Sequence, residues 1–193
     1  MQINKPIGFL LALLVALPMA YAADDNLSGH PGFVDFSTLT AIAGNEPNVE
    51  VSLREPLLDM ITNILRNSDE DSAEFVSKLL QVNVKVYENP SLDTALLAMS
   101  MSEIAESLES RSWERVVRVR DSSEHVDVYF RLSDSAEIIH GIAIMVAEPG
   151  ETVLVNIVGD ISAADIGALA ARFEIDELEN LDFDVDPDDR QDD

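Results

Sequence analysis

Between residues 113 and 158 the sequence carries four β-patterned runs joined by short connections: "WERVVRVR" (113–120), "HVDVYFRL" (125–132), "IIHGIAIMVA" (138–147) and "TVLVNIV" (152–158). Parallel neighbours need a crossover of a dozen or more residues, so connections this short force antiparallel pairing. "DSSE" joins the first two runs at hairpin spacing, and "EPGE" joins the last two through a Pro-Gly turn. A chain with this stretch folds around an antiparallel meander.

The rest of the chain must pack on that sheet. "VNVKVYEN" (82–89) alternates cleanly and reads as a strand, and "VEVSL" (49–53) as a short one. Between these two, Leu57, Ile61, Ile64 and Leu65 fall at helical spacing. Asn67 and Ser68 mark a stop and a new cap, and a second short helix runs to about Leu80 with Phe75 and Val76 inward. Asn89 caps a longer helix with Pro90 at its first position, and its stripe is Leu97, Met101, Ile104 and Leu108. Strand, helix and strand form a crossover onto the same sheet. The expectation is an α+β fold: a mostly antiparallel sheet of about five strands with helices packed on one face, preceded by a helical N-terminal segment. Residues 49–173 form that domain, and 23–48 are an irregular lead-in with a helical piece near Ser37–Ala43.

Both ends differ from this domain. Residues 1–22 have Lys5, an apolar run from Ile7 to Leu17 and a closing Ala20–Tyr21–Ala22, the pattern of a cleaved secretory signal peptide. The run is too short for a spanning helix, which argues against the alternative, an uncleaved anchor. The expected location is the periplasm or the extracellular space. There is no cysteine, so no lipid attachment follows the cleavage site, no disulfide holds the fold, and thiol chemistry is excluded. Residues 174–193 hold eleven acids and one arginine and read as a disordered acidic tail. The net charge of −25 argues against nucleic acid and anionic membranes, and favours divalent cations or a basic partner. In the tail, Asp182, Asp184, Asp186, Asp188 and Asp193 fall at calcium-loop offsets, but Pro187 stands where glycine is needed, so only weak divalent-cation attraction is expected.

Catalytic motifs are absent: no G-x-S-x-G, no S-x-x-K, no Walker loop and no dinucleotide fingerprint. No metal site and no cofactor are predicted. The stretch "VLVNIVGDIS" (153–162) invites a catalytic reading of Asp160, yet it also has a structural one. Gly159 lets the chain turn as the strand ends. Ser162 and Asp165 make a capping box, and Ile161 and Ile166 a hydrophobic staple. Asn156 either faces solvent or satisfies a nearby loop. His140 lies on the alternation set of Ile142 and Ile144, where a lone histidine is usually a packing residue.

One charge pattern stands out in so acidic a chain. Lys85, Arg118, Arg120 and Arg131 share the polar alternation set of their strands with Tyr87 and Tyr129, and the valines occupy the other. Cross-strand pairing with Glu114, Asp127 and similar neighbours is one account. The other is a binding face, with cations for an anionic group and tyrosines for rigid contact area. The acidic tail could compete for that face. Ala143, Met145, Leu154 and Val158 lie on the same alternation, as a contact surface or under the N-terminal segment.

Taken in order, "GFVDFSTL", "VEVSL", "VYEN", "WERVVRVRDSSEHVDVYFR" and "VNIVGDIS" resemble a family of small secreted bacterial proteins catalogued as a domain of unknown function, family 4252. The likeness runs from about Gly32 to Phe173. It implies a bacterial envelope location, an N-terminal signal and one α+β domain, and it carries over no catalytic residue. The functional expectation is a non-enzymatic periplasmic or secreted interaction module that binds an envelope protein or anionic ligand. The alternatives are an envelope hydrolase using Asp160 and His140, or an acidic divalent-cation-binding protein.

Overall fold

The computed structural model describes residues 27–44, 46–89, 94–121, 124–162 and 164–166. The signal segment, the acidic tail with its calcium-offset acids, and the Pro90 helix start lie outside the described residues. After a 3-10 turn at Leu27–Gly29 come α1 (Ser37–Ala43), β1 (Val49–Arg54), α2 (Glu55–Leu65), α3 (Glu70–Ser77), β2 (Leu79–Glu88) and α4 (Thr94–Ser110). The meander follows as β3 (Trp113–Arg120), β4 (His125–Leu132), β5 (Ile138–Glu148) and β6 (Glu151–Ser162). All six strands form one antiparallel sheet in the order β1-β2-β6-β5-β4-β3. The last strand of the chain therefore sits between β2 and β5, and α4 carries the chain from β2 to the far edge.

The helices cover both faces of the sheet, not the single face expected. On one face α1 and α4 place Leu39, Leu97, Met101 and Leu108 against Tyr87, Tyr129, Met145 and Leu154. On the other, Leu58 of α2 and the partly buried Phe75 and Val76 of α3 pack with Phe130, Ile142 and Ile161. The reason lies in β5 and β6, which are apolar on both alternation sets: Ala143, Met145 and Leu154 look one way, Ile142, Val146 and Val155 the other. Strands apolar on both sides need cover on both.

Local departures have local causes. The α3 cap is Asp69, whose carboxylate accepts from the Ser72 amide at 3.2 Å. Leu79 and Leu80 open β2 rather than close a helix. In α2 the buried stripe is Leu58 and Thr62, and Ile64 is exposed. The strand through Gly159 does not turn there: β6 runs on to Ser162. Glycine is required because a Cβ at that position would lie 2.4 Å from the Lys78 carbonyl oxygen. The capping box then forms as expected, with the Ser162 amide donating to Asp165 Oδ2 at 2.8 Å and the Asp165 amide to Ser162 Oγ at 3.3 Å. Ile161 and Ile166 meet in one core cluster, completing the staple.

Candidate functional site

Asn156 anchors the segment that roofs a cleft over β2 and β6. It is 2 % exposed and sits mid-strand in β6. Its Oδ1 accepts from the Val34 amide at 3.1 Å, and its Nδ2 donates to the Gly32 carbonyl at 3.0 Å and the Ile142 carbonyl at 3.2 Å. Of the two readings open for this residue, the structure selects the loop partner: Asn156 straps the lead-in onto the sheet. The approach is close enough that a Cβ on Gly32 would lie 1.8 Å from the His140 carbonyl oxygen, and one on Gly141 2.5 Å from the Gly32 Cα.

Beyond this strap the chain lifts over β2 and β6 and encloses a cleft of about 230 Å³. Phe33, Phe36 and Leu154 line its apolar side, and Gln81, Asn83 and Lys85 its polar side. The three polar residues follow one another on a single face of β2, opposite Val158, Asn156 and Leu154 of β6. Gln81 is 4 % exposed as a residue and lines the cleft, while the buried side-chain groups left without a partner among the described residues include those of Thr62, Trp113, His125 and Thr152 and not Gln81. Lys85 Nζ stands 3.5 Å from Glu50 Oε1, a long contact for an ion pair.

Of the six residues expected on a basic and aromatic face, Lys85 is the one that lines this cleft. Tyr87 and Tyr129 share its alternation set, but α1 and α4 cover them, leaving 2 % and 0 % exposed. They are core, not open contact area. Burial pushes both phenols up; Glu50 adds to the rise at Tyr87, and a hydrogen bond from Arg115 opposes it at Tyr129. Arg118 and Arg120 both turn to Asp127, which is fully buried, with contacts of 3.3 and 2.5 Å. Arg131 bonds the Leu132 carbonyl. Arg115, not among the six, joins Glu109 at 2.9 Å and lies over the Tyr129 ring. The cations are also divided. Arg118 and Lys85 share a register row but lie four strands apart, about 19 Å at ordinary strand spacing, with α4 packed on β3 and β5 in the interval.

His140 and Asp160 do meet, with Nδ1 and Oδ1 2.9 Å apart. The bulge between Ile139 and Gly141 takes His140 out of the Ile142 set and brings it beside the lead-in. There the His30 ring meets it edge-on, centroids 6.1 Å apart. Burial first, and His140 second, hold the His30 imidazole below its ordinary range, while Asp160 acts the other way. The hydrogen bonds of this pair reach no serine, threonine or second carboxylate among the described residues, and no metal-ligand cluster occurs among them.

Gln81, Phe33 and Phe36 were not legible as site residues. The signal for Gln81 was present: extending the β2 alternation back from Asn83 by two positions reaches it. Nothing in the sequence alone places the two phenylalanines over β2. A family model described as Domain of unknown function (DUF4252) matches residues 43–169. No curated protein and no solved structure matches the chain.

Proposed function

Because the chain belongs to the family described as Domain of unknown function (DUF4252), a description that names no activity, we propose its function from the site: a non-enzymatic, periplasmic or secreted binding module that takes its ligand in the cleft between lead-in and β2. The observation that carries this reading is the polar row of Gln81, Asn83 and Lys85, which lines one concavity from a single face of β2. A few convergent polar groups beside apolar side chains in a concavity are suited to a ligand. Of the arginines expected to bind, Arg118 and Arg120 are engaged with Asp127 and Arg131 with the Leu132 carbonyl, so their part is structural in this reading.

The test is a backbone-amide NMR map of residues 23–193 titrated with solubilised bacterial envelope components. Shifts clustered at 33–37 and 81–85, and lost in Lys85→Glu, support the cleft. Shifts centred on 118–131, or none, would overturn it. A second reading, hydrolysis at His140–Asp160, is favoured by their 2.9 Å contact alone. It requires turnover of an envelope polymer that Asp160→Asn abolishes, and unchanged turnover in that variant removes it.

A further inference from the structure

We propose that the cleft binds a short extended peptide bearing a single carboxylate, laid along β2 with that carboxylate at Lys85. The proposal rests on the binding reading above and names the ligand class for the same site.

Same-face residues of a strand repeat every two positions, about 6.8 Å, so Gln81, Asn83 and Lys85 form a row of about 14 Å. An extended peptide has the same repeat, so its backbone groups fall in step with the row. Each primary amide offers both a donor and an acceptor, which matches the N–H and C=O of a peptide unit. Lys85 ends the row with a cation, and its 3.5 Å contact with Glu50 is long enough to exchange for a shorter, charge-assisted bond to a ligand carboxylate. Phe33, Phe36 and Leu154 form the apolar side, which accepts a side chain pointing away from the amides. Lys85 is the one cation lining the cleft, Asp35 lines it too and Glu50 stands at Lys85, so a ligand carboxylate must take the place of Glu50 there, and a segment with an acid at every second residue, as at 182–188, would be repelled.

The experiment uses residues 23–193 and isothermal titration with three probes: the tetrapeptide acetyl-Ala-Phe-Ala-Ala with a free carboxylate, its C-terminal amide, and phenylacetate as a non-peptide carboxylate. The free-acid peptide is expected to bind about tenfold more tightly than its amide, the worth of one charge-assisted bond. Lys85→Met should remove that preference, so that the acid peptide binds no more tightly than the amide. Gln81→Leu should weaken both peptides equally. Retention of the native circular dichroism spectrum keeps either variant interpretable, and in an unfolded variant the acid-to-amide ratio of the parent protein decides. Equal binding of acid and amide, or phenylacetate binding as tightly as the acid peptide, would overturn the proposal. If no peptide binds while envelope components still shift 81–85, the peptide assignment fails and the binding reading stands. If neither occurs, both fail.

Discussion

Asn156 is a buried polar residue in a largely buried strand, a position where an amide is costly unless every group finds a partner. All its partners are backbone, two on the lead-in and one on β5. Asn156→Ala therefore leaves the Val34 N–H and the Gly32 C=O unsatisfied, and we expect a loss of about 1–3 kcal/mol in urea unfolding. Asn156→Leu should fare no better, since the same two groups stay buried. His30 supplies a pH dependence at the same strap. Its folded-state pKa is lowered by burial and by His140, against Asp160. Protonation thus favours the released state: docking of the lead-in is complete above about pH 6.5 and weakens as pH falls through that value. Hydrogen exchange at the Val34 amide, corrected for intrinsic rate, should quicken below that pH in the parent protein and lose this dependence in His30→Gln. The sequence showed Asn156 as anomalous but not what it holds, because its partners lie 122 and 124 positions away.

At the scale of elements, the junction of β6 with the following helical residues is held by its own capping box and by Lys78, which reaches Asp165 at 2.8 Å from the end of α3. Burial pushes the Asp165 carboxyl up, but hydrogen bonds from Lys78 and from the Ser162 hydroxyl and amide outweigh it and hold it below the usual range. A depressed carboxylate contributes stability above about pH 4 that is lost as pH falls through its folded value. Lys78→Met should therefore lower the melting temperature at pH 7, by an amount that shrinks as pH falls below about 4 toward the folded-state value of Asp165. Ser162→Ala should cost about 1 kcal/mol, with the loss confined to the cap. The strands and helices of this region were largely legible, because alternation and capping are local signals. The continuation of β6 through Gly159 was not: a glycine after an apolar run resembles a turn, and its true cause is the Lys78 carbonyl at the junction of α3 and β2, which sequence cannot place beside it.

For the whole molecule, the same alternation that sorted cations from valines could not tell which side a helix would cover. Tyr87, Tyr129 and Lys85 belong to one set, yet α1 and α4 bury the first two and leave the third beside the cleft. The division between core and site is thus made by the crossover of α4, a property of topology. Removing that cover should be costly: Met101→Ala, 1 % exposed, is expected to lose about 2–5 kcal/mol and to raise the accessibility of Tyr129 to second-derivative absorbance. Arg118→Glu is expected to destabilise as well, since it sets an acid against the buried Asp127.

The strap at Asn156 also has a temporal meaning. Val34 and Asn156 are separated by 122 residues, and Asn156 belongs to the last strand of the sheet, inserted between β2 and β5. Contacts of such long sequence separation close expensive loops and tend to form late, once the intervening chain has condensed. The roof of the cleft is then the final piece set in place, and β2 cannot present its amide row within a finished cleft until the sheet is whole. Asn156→Ala should accordingly accelerate unfolding and leave the refolding rate nearly unchanged in stopped-flow measurements. A protein assembled in that order gains its recognition surface as the last act of folding.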